Sequence, residues 1–250
     1  MELAPPPGYQ GVVVLDKERH KGLAVRPLLA FGAGLNAVYV TATEFALAGR
    51  DYPVIFLQEP STTDFVPMAL TGLSAGRNLF VGEDGVWDSQ VYLPAYVRRY
   101  PFCVAEANQE DGQKTSVICV DESALESSAL PLFDKKSVPT NVWQTIEKFI
   151  NDMEAARQQT NRMTRALDDL DLLEPFEAQA MLQGGEKFQL KNMFRVSEQR
   201  LNKLPADVIQ ELMVEGSLAR IYLHIASLNN FSRLVDRAAD GASHTTIQSP

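Results

Sequence analysis

The densest mixture of charged and aromatic residues in this sequence is Glu44, Arg50, Asp51, Trp87, Tyr92, Tyr96, Arg98, Arg99, Tyr100 and Glu106. Guanidinium groups grip carboxylates through two parallel hydrogen bonds, and tyrosine and tryptophan rings supply apolar walls with a polar edge. Such a set suits an anionic or peptide ligand, with Arg50, Trp87, Tyr92, Arg98 and Arg99 as the candidate binding residues. Neighbouring arginines on a helix leave it about 100° apart, so Arg98 and Arg99 do not share one pocket wall. The structural alternative pairs one of them with Asp51 or Glu44 and leaves the other in solvent. For acid–base work the candidates are Glu44 and His20, the latter set between Arg19 and Lys21 in a polar turn. A solvated or core-edge histidine is the plainer reading of His20. His224 reads as a packed helical residue, and His244 falls near the end of the chain.

Other chemistries lack their residues. No H-x-D, H-E-x-x-H or C-x-x-C pair supplies two metal ligands from one local segment, so no metal or other cofactor is expected. No G-x-S-x-G elbow is present. Gly32-Ala33-Gly34-Leu35-Asn36-Ala37 matches a dinucleotide fingerprint in letters. That fingerprint needs a helix after its glycines to face the phosphates, and Val38-Tyr39-Val40-Thr41 is strand-like instead. Cys103 and Cys119 each lie in an apolar, β-like run, and pairing of those runs would bring them close. They read as two small buried hydrophobes.

With 250 residues, 45% of them hydrophobic and 22% charged, the chain can bury a core without metal or disulfide support. Its net charge of −9 works against a phosphate backbone as partner, because nucleic-acid binding draws on clustered Lys and Arg. No apolar run approaches a membrane span, and Met1 to Gly8 carries neither the basic nor the apolar region of a signal peptide. A cytoplasmic location without membrane insertion is therefore expected.

The elements that would hold these residues are legible in outline. Residues 1–10 are a Pro-rich lead expected to be loosely ordered. Residues 11–121 are β-rich, with strand-like runs at Val12–Leu15, Ala37–Val40, Pro53–Leu57, Phe65–Leu73, Asn78–Val81, Phe102–Ala105 and Ser116–Val120. Asp84-Gly85 and Asp111-Gly112 mark turns between them. Short helices start at Thr43, taken as an N-cap, and at Pro94. Residues 122–138 read as a linker, and residues 139–240 as helical with one β-hairpin turning at Gly184-Gly185. From Val142 through Ile146, Phe149, Met153, Ala156, Thr160, Met163 and Leu167 to Leu170, apolar or small residues recur at alternating steps of four and three. This seam meets either the last helix, expected over Leu218–Ala239, or a second copy of the chain in a homodimer through residues 142–170. Residues 241–250 form a polar tail. The whole is α+β, with residues 11–240 expected to share one domain.

Several multi-residue blocks are familiar as a group. Leu35-Asn36-Ala37-Val38-Tyr39-Val40-Thr41 leads to Arg50-Asp51-Tyr52-Pro53-Val54-Ile55-Phe56, and Tyr92-Leu93-Pro94-Ala95-Tyr96-Val97-Arg98-Arg99-Tyr100-Pro101-Phe102 follows. Near the end come Gly216-Ser217-Leu218, Ser227-Leu228-Asn229-Asn230 and Leu234-Val235-Asp236-Arg237. Over about residues 10–238 the chain resembles the SapC family. That resemblance implies a bacterial accessory or interaction protein linked to the cell envelope, through surface-layer formation or TonB-dependent uptake, and acting on a protein partner. It transfers no catalytic residue. The alternative is a small-molecule or peptide binder, or an enzyme, working beside a flavin- or iron-dependent partner through a site near Trp87, Tyr92, Arg98 and Arg99.

Overall fold

A computed structural model describes residues 5–26, 30–59, 62–108, 114–128, 130–181 and 187–245. In chain order the elements are β1 (Val12–Val14), β2 (Leu23–Val25), β3 (Ala37–Tyr39), α1 (Phe45–Asp51), β4 (Val54–Gln58), β5 (Phe65–Leu70) and α2 (Ala95–Arg98). Then follow β6 (Phe102–Asn108), β7 (Lys114–Asp121), β8 (Leu125–Ser127), α3 (Asn141–Asp169), β9 (Leu173–Met181) and β10 (Lys187–Val196). Four helices close the chain: α4 (Glu198–Leu201), α5 (Ala206–Val214), α6 (Ser217–Ser227) and α7 (Asn230–Thr245). The architecture is α+β.

The chain divides into two compact units that interleave in sequence, Met1–Gly32 with Ala95–Ala155, and Ala33–Pro94 with Ala156–Pro250. In the first unit an antiparallel sheet runs in the order β1-β7-β6, beside the two-stranded β2-β8. Alternation along β6 and β7 sends Phe102 and Val120 to one face, where they pack with Leu132, Phe133, Trp143 and Ile150. The residues between them, Cys103 and Cys119, face the other way and are buried too. β8 arises inside the expected linker, and β2 adds a strand to the β-rich stretch where no run was singled out, because three-residue strands flanked by charge or serine carry almost no periodic signal.

The second unit is built on a five-stranded antiparallel sheet in the order β3-β5-β4-β10-β9. Its core holds Phe45, Tyr52, Ile55, Phe56, Leu167, Leu172, Ile221 and Leu234, all fully enclosed. The second β patch of the sequence is one long hairpin. Its register slips between Leu190 and Met193, where Asn192 takes a left-handed φ of 58°. Both turn signals at Asp111-Gly112 and Gly184-Gly185 fall outside the described residues.

Local expectations shift in four places. Thr41 rather than Thr43 opens the first helical turn, and Glu44 returns its carboxylate to the Thr41 N–H at 2.8 Å. Asn78–Val81 is not a strand; only Val81 bridges, to Trp87, across the Gly82–Gly85 turn. The last helix is two helices, broken at Leu228-Asn229, and the second runs on to Thr245 into the expected tail. Along α3 the buried positions are Trp143, Ile150, Met153, Thr160, Met163, Thr164 and Leu167, while Val142 is 38% exposed. From Met153 to Leu167 the seam is thus buried at Met153, Thr160, Met163 and Leu167 and half-buried at Ala156. Its first turn is rotated by one residue, because the larger Trp143 takes the inward position.

Candidate functional site

In the second unit, Glu44, Asp51, Tyr52, Trp87 and Tyr92 form one hydrogen-bonded group. Glu44 ends a 3-10 turn and is buried. Its Oε2 accepts from the Thr41 N–H and hydroxyl at 2.8 and 2.9 Å, and its Oε1 accepts from the Tyr92 hydroxyl at 3.0 Å. Tyr52, fully enclosed at the end of α1, donates its hydroxyl to the Tyr92 carbonyl at 2.6 Å and accepts from Trp87 Nε1 at 3.1 Å. Asp51 Oδ2 accepts from the Tyr92 N–H at 2.9 Å and meets Arg50 at 3.6 Å. Arg50 itself is largely in water. Burial holds the Tyr52 phenol well above its usual range. Beside this group Arg237 reaches Asp88 at 2.6 Å and lies 4.3 Å over the Phe80 ring. The carboxylates here hold backbone and phenol groups in place, so they do structural work.

The other candidates belong to the first unit. Arg98 is exposed and lies 5.2 Å over the Phe149 ring, whereas Arg99 is half-buried and lies 4.7 Å over Tyr96. Around Arg99 the phenols are pinned: Tyr9 donates to the Phe102 carbonyl at 2.7 Å, and Tyr96 to the Pro7 carbonyl at 2.6 Å. Tyr9 is therefore buried and tied, unlike the loose lead expected of residues 1–10, of which 1–4 lie outside the described residues. Burial pushes the Tyr96 phenol up to about 12. His20 is enclosed, taking the Asp16 N–H on Nδ1 at 2.9 Å and placing Nε2 3.1 Å from Glu122 Oε1. The sequence-derived set thus separates. Glu44, Arg50, Trp87 and Tyr92 lie in one unit, and His20, Arg98 and Arg99 in the other.

Two features of α6 escaped the sequence reading. His224 and Ser227 face the sheet and serve the backbone of Val54 at the start of β4. The Val196 N–H donates to His224 Nε2 at 3.0 Å, which fixes the ring hydrogen on Nδ1, donating to the Val54 carbonyl at 2.9 Å. Ser227 Oγ accepts from the Val54 N–H at 3.0 Å. β4 and β10 share the register pair Phe56 and Phe194, and His224 bridges them two residues further along each strand, at Val54 and Val196. Burial depresses its pKa to about 4, so the imidazole is neutral.

The opposite face of α6 is the second feature. Ala219, Tyr222, Leu223 and Ala226, spaced at i, i+3, i+4 and i+7, all point outward. Tyr222 is 46% and Leu223 37% exposed. α1 packs beside them, close enough that a Cβ on Gly49 would stand 3.4 Å from the Leu223 carbonyl, and it exposes Ala46 and Leu47. Met213 and Val214, at the end of α5, stand 61% and 78% exposed just before the Gly216 turn. An ordinary surface helix keeps its outer face polar. The outer face of α6 is apolar instead, while its inner face buries Ser217, Ile221, His224 and Ser227.

The SapC family model matches residues 15–234, nearly the whole of both units. The chain belongs to the SapC family. No curated protein and no solved structure matches it. The span matched in this SapC-family chain includes the Glu44–Tyr92 group, Tyr96, Arg98 and Arg99, and both faces of α6, but not Tyr9. Among the described residues no helix is long and apolar enough to cross a membrane, and no group of three His, Cys, Asp or Glu is placed to hold a metal ion. The glycines of the fingerprint-like segment lead into β3, a strand, so the phosphate-facing helix of a dinucleotide site is replaced by sheet.

Proposed function

We propose that this SapC-family chain is an accessory protein that works by binding a protein partner of the bacterial envelope, in surface-layer or TonB-dependent uptake systems, rather than by catalysis. The observation that carries this reading is the apolar outer face of α6, continued by Ala46 and Leu47 of α1. Exposed apolar groups gathered on one face mark docking surfaces, whereas scattered ones do not. Arg50 lies at the C-terminal end of this face, where Arg233 of α7 donates to its carbonyl at 2.8 Å. The surface suits a partner segment with apolar side chains and a carboxylate beside them. The polar candidates support the same reading, since Glu44, Tyr52, Trp87 and Tyr92 bond to one another.

The test is co-purification of tagged chain from the bacterium that makes it, comparing wild type with a Tyr222→Lys, Leu223→Lys double variant. An envelope component recovered with wild type and lost with the variant is expected. Recovery of the same component by both overturns the α6 surface. A flavin- or iron-dependent enzyme as the specific partner would favour the ligand-handling alternative instead.

A further inference from the structure

Cys103 on β6 and Cys119 on β7 stand directly opposite each other in the antiparallel register. The ladder tells which kind of pair they form. Asp121 donates to the Pro101 carbonyl at 2.9 Å, and Leu15 donates to the Ile118 carbonyl across the other side of β7. Hydrogen-bonded pairs alternate along such a ladder, so Cys103 and Cys119 are one of them. Both side chains leave the same face and both are buried, and the Cys119 thiol donates to the Val117 carbonyl at 3.9 Å. We propose that this pair is a reversible dithiol–disulfide couple, closed by peroxide and reopened by a thiol reductant.

The chemistry balances with peroxide as the two-electron oxidant. The Cys119 sulfur attacks one peroxide oxygen, the O–O bond breaks, and a sulfenic acid and water are left. The Cys103 sulfur then attacks the Cys119 sulfur, the S–O bond breaks, and a second water leaves with the Cys103 proton. Their close opposition favours this order, since the neighbouring thiol and burial hold the Cys103 pKa up while the neighbouring thiol draws that of Cys119 down. At a hydrogen-bonded position the Cα atoms stand about 5.5 Å apart, inside the bridging range, but the Cβ atoms are wider than the roughly 3.5–4.5 Å a relaxed disulfide takes. Closing the bond must draw the strands together, and a strained disulfide is readily reduced.

The open edge of this sheet is closed by the N-terminal segment. β6 is an edge strand, and the outward carbonyl of Phe102 is occupied by the Tyr9 hydroxyl. Tyr9 packs edge-on against Tyr96 and Tyr100, with ring centroids 6.3 and 5.0 Å apart, and Tyr96 is tied to Pro7. Loosening this N-terminal segment from the edge of β6 should speed the reaction of the buried thiols.

The test uses the full chain, titrating free thiols and measuring intact mass after peroxide treatment. Wild type should lose both thiols together with a mass loss of about 2 Da, the two thiol hydrogens, and glutathione should restore both. Tyr9→Ala should react at least several-fold faster to the same product, and Cys103→Ser should gain oxygen on Cys119 instead. Independent oxygen addition to each cysteine in wild type, or disulfide formation only between chains, would overturn the proposal. So would thiols that stay unreactive in folded Tyr9→Ala but oxidise on unfolding.

Discussion

His224 is the side chain whose loss should be most legible in solution. Its imidazole is neutral and satisfies two backbone groups that nothing else on α6 reaches. The unfolded imidazole titrates near about 6.5 and the folded one near about 4, so unfolding takes up a proton between those values. The stability it confers is complete above about pH 6.5 and is lost as pH falls toward 4, a change of about 3 kcal/mol. His224→Leu should destabilise the protein at pH 7 by about 2–5 kcal/mol, since it strands a buried carbonyl and N–H, and should flatten the slope between pH 4 and 6.5. Urea melts across that range check both. The two adjacent arginines also divide as their geometry dictates. Arg99→Ala should cost about 1–3 kcal/mol, because it empties the space among Tyr9 and Tyr96, while Arg98→Ala should cost under about 1 kcal/mol. Equal effects in chemical melts would contradict the assignment. His224 could not be given this role from sequence, because its partners lie 28 and 170 residues away. The Glu44–Thr41 contact, by contrast, was legible in principle from the T-x-x-E spacing.

At the scale of elements, α6 carries two faces with opposite tasks. Ile221 is fully enclosed in the core of its unit, whereas Leu223 is partly in water. Ile221→Asp should therefore abolish folding or lower stability by more than about 4 kcal/mol. Leu223→Lys should move it by no more than about 0.5 kcal/mol, as a surface change does. Thermal melts of the two variants decide it, and a large loss for Leu223→Lys would show that the outer face is covered within the chain. The strands around Val12, Ala37, Val54, Phe102 and Ser116 were readable because apolar alternation and turn residues agree there. The break between α6 and α7 was not, since Leu218, Ile221, Ile225, Leu228 and Val235 continue one apolar stripe across it. The outer stripe of Ala219, Tyr222, Leu223 and Ala226 left a signal that could have been used: a surface helix ordinarily keeps its outward face polar, and this one does not.

The whole molecule is two interleaved units joined through one continuous helix, α3. Trp143 and Ile150 serve one core, and Met163 and Leu167 the other. Because neither half of that helix can melt without fraying the other, residues 11–240 should unfold as one cooperative domain. The two tryptophans make this measurable, Trp87 reporting on one unit and Trp143 on the other. Fluorescence melts of Trp87→Phe and Trp143→Phe should superimpose on their circular-dichroism melts, and separated midpoints within either variant would show that the units unfold independently. The functional account rests on the outer face of α6 meeting another protein. Its most direct measurement places a photo-crosslinking amino acid at Leu223, with the same residue at exposed Glu198 as control, in the cells that make the chain. The account predicts a discrete adduct with an envelope protein from position 223 and none from 198; adducts absent from 223, or formed equally from both positions, would contradict it.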